Sequence, residues 1–223
     1  MLSTLCVRLN NKKVKKETPL NALQQFLPPG AYQPVVQYLV QYKVHLTITR
    51  QRETLLGDYR NAVDGKNHRI SVNGNLNPYA FLVTLLHELA HLLTFDNYGY
   101  LAAAHGKEWK NEYSKLLAQF LLHKLFPADI EKALLKSLQN PAATTCGEEH
   151  LTRVLRKYDV TERKNGVKLV EELMDGNLFR TKDGRVFKRM EKLRKRYKCI
   201  ELRTGTVYLF NALYEVEVVT ERI

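Results

Sequence analysis

His87, Glu88 and His91, in the run His87-Glu88-Leu89-Ala90-His91, are the residues of this chain best suited to do chemistry. Two imidazoles four positions apart on an α-helix lie one turn above each other on one face, so both can offer a nitrogen to one metal ion. The carboxylate of Glu88 sits roughly 100° round the helix from His87, close enough to take a proton from a water held by that metal. A hydrolytic zinc generally has three protein ligands and keeps its fourth position for water, so the chain must supply a third. The longer pattern that places a glycine three residues after His91 and a histidine three beyond it is excluded, because Thr94 and Asn97 stand there. His105, in Ala104-His105-Gly106-Lys107-Glu108-Trp109, is the favoured third ligand, with Glu108 and Glu112 as runners-up. Imidazole is the commoner zinc ligand, and Gly106 leaves room beside a metal. One Zn2+ per chain is expected. His45, His68, His123 and His150 are scattered and are read as ordinary surface or core residues.

The flanking elements must position these groups. Asn77-Pro78 supplies a cap and a proline at the first helical position, and the apolar run from Tyr79 to Leu86 carries the helix to the motif. A loop-like stretch, Asp96-Asn97-Tyr98-Gly99-Tyr100, precedes a second helical pattern of about 105–124. A histidine at the start of that helix can swing back to the metal. Upstream, a short helix follows Thr18-Pro19 and a second spans about 31–42. The alternation in 43–50 predicts a half-buried strand, 68–73 another, and 55–60 an edge strand. Downstream come helices over about 127–138 and 147–158, separated by the linker Asn140-Pro141-Ala142-Ala143-Thr144-Thr145. A C-terminal run of short strands follows, with hairpin turns at Asp183-Gly184 and Arg203-Thr204-Gly205-Thr206. The fold class is α+β: a small twisted sheet over a metal-bearing helix pair, then a small antiparallel β module. The expected division is a basic tail over 1–16, the catalytic domain over 17–145, and a helix plus β module over 146–223.

The motif HELAH, a gap, then HGKEW resembles the SprT-like zinc metallopeptidase family, which includes the Spartan-type DNA–protein crosslink proteases. Arg50 through Arg60, with its Leu56-Gly57-Asp58-Tyr59, resembles the family's basic strand leading into a Leu-Gly-x-Tyr turn. His68–Asn73 resembles the strand before its active-site helix, and the segments 183–189 and 192–199 resemble the basic C-terminal module of bacterial relatives. The resemblance covers most of residues 31–215. It implies a zincin-like fold, zinc on His87, His91 and His105, and Glu88 as general base. Many family members carry a C-terminal zinc ribbon with paired cysteines, and this chain departs from them: Cys6, Cys146 and Cys199 are its only cysteines. None is paired at CxxC spacing, so no second, structural zinc is expected.

Charge is distributed unevenly along the chain. The formal net charge is +12, of which residues 1–16 carry +5 and residues 180–198 carry +8, while 17–179 carry only +1. Arg185, Lys188, Arg189, Lys192, Arg194, Lys195, Arg196 and Lys198 are the candidate nucleic-acid contacts. Phe179, Phe187 and Tyr197 are interleaved with them as rings able to stack on bases. Any such binding is expected to tolerate sequence and to include single-stranded DNA. The sparse, odd cysteine count points to a reducing compartment. The N-terminus has only a short apolar run followed by its charges, the wrong order for a secretory signal. No apolar stretch reaches the ~20 residues that span a bilayer, the richest being interrupted by the charged motif. A cytoplasmic location without a membrane partner is expected.

These features converge on a zinc-dependent endopeptidase associated with nucleic acid. Glu88 would take the water proton and pass it to the leaving amine. Tyr59, Tyr98 and Tyr100 are candidates for stabilising the oxyanion, and an exposed sheet edge beside the motif helix would hold an extended peptide or protein substrate by strand addition. Two alternatives use the same residues: a zinc hydrolase of a non-protein amide, and a basic nucleic-acid-binding protein with a structural zinc.

Overall fold

Asn77 starts the helix on which the site depends. Its side chain accepts hydrogen bonds from the backbone N–H groups of Tyr79 (3.1 Å) and Ala80 (3.0 Å), satisfying two of the donors that a helix start leaves open. From there Pro78–Tyr98 runs as one long helix, with Phe81 to Ala90 buried without a break. In the computed structural model, which describes residues 7–9, 17–52, 55–139, 149–160 and 166–219, the chain is α+β and divides into two units, Met1–Asp159 and Val160–Ile223.

The first unit builds one sheet and a set of helices. Its strands are β1 (Val7–Leu9), β2 (Glu17–Thr18), β3 (His45–Thr49), β4 (Gly57–Arg60) and β5 (Arg69–Asn73), in the order β2-β1-β3-β5-β4. β1, β3 and β5 pair in parallel, and β4 joins β5 antiparallel at the edge. β3 buries Leu46 and Ile48 and β5 buries Ile70 and Val72, the alternate positions of two half-buried strands. The helices are α1 (Tyr32–Gln41), α2 (Pro78–Tyr98), α3 (Lys107–Leu122), α4 (Ala128–Gln139) and α5 (Glu149–Arg156), preceded by a 3₁₀ turn over Leu20–Phe26. α2 is long and apolar enough to cross a membrane, longer than the interrupted apolar run led us to expect, but two thirds of its most apolar window is buried inside the protein. It is the central helix of the core.

Two boundaries differ from the sequence-based division. The basic tail expected over 1–16 contributes β1, which pairs with β3, so part of it is sheet. The helix expected to open the C-terminal module, α5, belongs to the first unit. Leu151, Val154 and Leu155 bury in the first unit's core, and the Asn77 amide that caps α2 also donates to the Leu155 carbonyl (3.0 Å) and Asp159 Oδ1 (2.6 Å). Tyr158 donates to Asp129 of α4 (2.7 Å) and packs edge-on against Tyr79. The cationic run 12–16, the linker 140–145, Cys6 and Cys146 lie outside the described residues.

The second unit is one antiparallel sheet of β6 (Val167–Leu169), β7 (Leu178–Arg180), β8 (Val186–Lys192), β9 (Arg196–Glu201), β10 (Val207–Asn211) and β11 (Glu215–Val219), ordered β10-β9-β8-β7-β11-β6. Gly184 (φ 85°) and Gly205 (φ 71°) take the left-handed conformation in the β7–β8 and β9–β10 turns, where glycine carries no Cβ penalty. Its small core is aromatic: Phe179 stacks on Phe187 at 5.5 Å, and Phe210 meets both rings edge-on.

Candidate metal centre

Helix spacing and one unusual backbone angle bring three imidazoles together. His87 and His91 stand one turn apart on α2. His105 lies just before α3 with φ 58°, a left-handed conformation uncommon for a side chain with a Cβ and costing on the order of 1 kcal/mol. That turn sends its ring back to α2. Its Nε2 lies 3.1 Å from Nε2 of His87 and 3.0 Å from Nε2 of His91. Among the described residues these three form the cluster able to hold a metal ion. Glu108 and Glu112 are not part of it, and Glu112 is buried with its carboxylate accepting from Lys115 Nζ (3.0 Å).

Trp109 and Tyr113 wall this cluster on one side. The Trp109 ring, fully buried, lies 4.7 Å from the rings of His87 and His105 and 5.3 Å from that of His91, and Tyr113 stacks on Trp109. Trp109 and Tyr113, four residues apart, share one face of α3, the face turned to the histidines. Burial pushes His87 down to about 3 and His91 to about 4, with the neighbouring imidazoles pushing the same way, and burial also lowers His105. All three rings are therefore neutral at pH 7 and present lone pairs, the form that ligates zinc. His91 and His105 keep partial exposure, so the cluster is open on one side. A neutral, convergent three-imidazole donor set fits Zn2+.

Glu88 is buried beside the cluster, and its carboxyl is pushed up to about 8, first by burial and then by Asp58, against a lowering by Arg52. Arg52 is held by Asn73 Oδ1 (2.8 Å) and Ser71 Oγ (2.9 Å), and Asn73 in turn donates to the backbone carbonyls of Arg52 and Leu55. This network ties the entry to β4 onto β5. It places Gly57 directly against Glu88: a Cβ on Gly57 would lie 2.8 Å from Cγ and 2.9 Å from Cδ of the glutamate. Nothing in the motif itself pointed to Arg52 or Asp58 as neighbours of Glu88.

The three tyrosines proposed as oxyanion donors fare differently. Tyr59 stacks parallel to His91 at 6.3 Å, but its hydroxyl bonds His68 Nδ1 at 2.9 Å. That nitrogen also accepts from the Ala62 N–H (3.2 Å), so it is unprotonated and the tyrosine is the donor. His68 therefore has a defined role beside the site that its isolated position in the sequence did not suggest. The Tyr100 hydroxyl accepts from Asn61 Nδ2 at 2.8 Å on a largely exposed ring, and Tyr98 is 38% exposed. A recess of about 540 Å³ nearby is lined by Tyr42, Lys43, Asp64, His68 and Asp96 among others, and by none of the three clustered histidines.

The second unit does not gather its cations on one surface. Strand alternation sends Lys188, Arg196 and Lys198 to the face shared by Ile200, Val207 and Leu209. Arg194 and Lys195 occupy the exposed β8–β9 turn. Arg185 packs over Phe187 and Tyr208 and pairs with Asp183 at 2.7 Å. Arg189 lies over Tyr197 (4.3 Å) with its side chain only 11% exposed, pairs with Asp175, and shares the Tyr197 ring with Lys192. The rings of Phe179, Phe187 and Tyr197 are buried in the core, so they are not available for stacking on bases. Lys198 is paired with Glu191 (3.3 Å), and Arg180, exposed on the same face as Lys188, joins the set from outside the expected list.

In comparisons with protein-family models, curated proteins and solved structures, none matches this chain.

Proposed function

We propose that this chain is a SprT-like zinc endopeptidase with a zincin-like first unit, acting on extended polypeptide and associated with nucleic acid through its second unit. The observation that carries the hydrolase part is the convergence of three neutral imidazole nitrogens with a buried carboxylate on the very next residue. A structural site needs the imidazoles but not Glu88, whose burial carries a desolvation cost without a structural return.

When bound, zinc supplies positive charge that acidifies a water and polarises a substrate carbonyl. His87, His91 and His105 hold it, and the Trp109 wall fixes their rings. Glu88 would accept the water proton at its carboxylate and return it to the leaving amine. β4 supports the polypeptide substrate. Asn73 N–H donates to the Leu56 carbonyl (2.9 Å), which with the register of β4 on β5 makes Asp58/Ser71 the next hydrogen-bonded pair. Gly57 and Tyr59 then turn their own N–H and C=O away from β5, toward an edge with no neighbour among the described strands. Those groups lie on the strand that passes Glu88 and His91, and they recognise backbone rather than side chains. This favours polypeptide over a small non-protein amide.

Lys188, Arg194, Lys195 and Arg196, with Arg180, support the nucleic-acid association: all are exposed, and such contacts would go to phosphate without reading bases. The test is cleavage of an unfolded protein and of a DNA–protein crosslink by the zinc-loaded chain, with and without single-stranded DNA, beside Glu88→Gln. Hydrolysis that Glu88→Gln abolishes supports the proposal, and hydrolysis that it leaves intact removes Glu88 from the mechanism.

A further inference from the structure

Glycine is a poor strand residue, since it has no side chain to pack and loses the most entropy on ordering, so a glycine inside a strand marks a close approach. Gly57 opens β4 without a left-handed φ, and alanine can adopt its backbone without strain. What forbids a side chain there is Glu88. A Cβ would lie within 3 Å of three atoms of its side chain, Cγ, Cδ and one carboxylate oxygen. The glutamate has little room to retreat, being 6% exposed on a helix buried on both sides of it.

We propose that Gly57 is a positioning residue of the hydrolytic site: its missing side chain sets where the Glu88 carboxylate stands, and the same residue offers backbone groups to the substrate strand. The inference rests on the hydrolase proposal and deepens it. Strand side chains project perpendicular to the sheet, whereas the edge N–H and C=O lie in its plane. A methyl group at position 57 therefore strikes the base and leaves the pairing groups untouched. One residue thus ties two functions to a fixed offset, so a backbone paired at Gly57 is delivered beside Glu88.

Gly57→Ala tests this. Zinc content, circular dichroism and KM should match the parent, while kcat falls on the order of 10²-fold, the usual effect of displacing a reacting group by about 1 Å. Crystal structures of the two proteins should show the Glu88 carboxylate displaced with β4 in place. A double-mutant cycle with Glu88→Asp separates positioning from general damage. The shorter side chain has already withdrawn its carboxylate, so Gly57→Ala should cost much less in that background. Gly57→Ala with parental kcat, or a structure in which β4 moves and Glu88 stays, overturns the inference and leaves the hydrolase proposal standing. Turnover that Glu88→Gln does not reduce removes Glu88 from the mechanism, and the role of Gly57 with it.

Discussion

The histidine cluster of the first unit and the cationic stretch of the second were both prominent in the sequence, and the fold treats them in opposite ways. His87, Glu88 and His91 stay together because their arrangement is fixed within one helical turn. Any fold that keeps α2 keeps their geometry. Of the ten Lys and Arg of residues 180–198, close in sequence, six lie in strands, where each step reverses the direction of the side chain, and four in the turns between them. Arg189 and Lys188 are neighbours in the chain, yet one covers the Tyr197 ring while the other faces away. A motif defined by spacing carries its geometry with it, and a cluster defined by composition does not.

Glu88→Gln should produce the largest change, a loss of hydrolysis on the order of 10²-fold or more with zinc retained, because the amide cannot accept the water proton. Steady-state kinetics on any verified substrate reads it, and unchanged turnover would remove Glu88 from the mechanism. Asn77→Ala comes next, measured by denaturant unfolding. It removes the α2 cap and leaves the buried Leu155 carbonyl without its donor, a cost of about 2 kcal/mol. A negligible effect would show that α5 is held to the first unit by its apolar face alone.

A pH-dependent difference sharpens the picture of Glu88. In the metal-free protein its carboxyl is raised from 4.5 to about 8, mainly by burial. The native state then holds a proton that the unfolded chain has lost. Its contribution to stability is fully present below pH 4.5 and is lost as pH rises through about 8. Glu88→Gln has no such proton to lose. The stability of the metal-free variant relative to the parent should therefore rise between pH 5 and 8, and thermal unfolding at several pH values measures it. A constant difference would mean that Glu88 is better solvated than its burial indicates.

The smallest expected effects lie in the second unit, where the two faces can be separated. Replacing Arg180, Lys188 and Arg196 by Ser should weaken binding to single-stranded DNA for all sequences alike and flatten its salt dependence, by about 0.7 in log–log slope per lost contact. Unfolding should change little. Replacing Arg185 and Arg189 should instead destabilise the unit, since they cover its aromatic core, and leave the slope nearly unchanged. The reverse pattern would place the nucleic-acid surface on the inner face.

Most elements of the first unit were legible, because each carries its own signal: the Asn77-Pro78 cap, the alternation through His45–Thr49, the apolar face of α3. β4 was legible as an edge, but its contact with Glu88 was not, because that approach depends on the register between β4 and β5. The sheet role of Val7–Leu9 was hidden by its brevity and by the lysines after it. The placement of α5 was hidden because a helix's apolar face does not say which core it joins. His105 could be favoured from its residue type, while the left-handed turn that aims it has no signature in a histidine.

Zinc stoichiometry tests the central claim most directly. Metal content of the purified, zinc-loaded chain should be one per protein for the parent and for Glu108→Ala, and near zero for His91→Ala and His105→Ala, with secondary structure retained in all four. Full zinc in His105→Ala, or its loss in Glu108→Ala, would contradict the three-histidine centre.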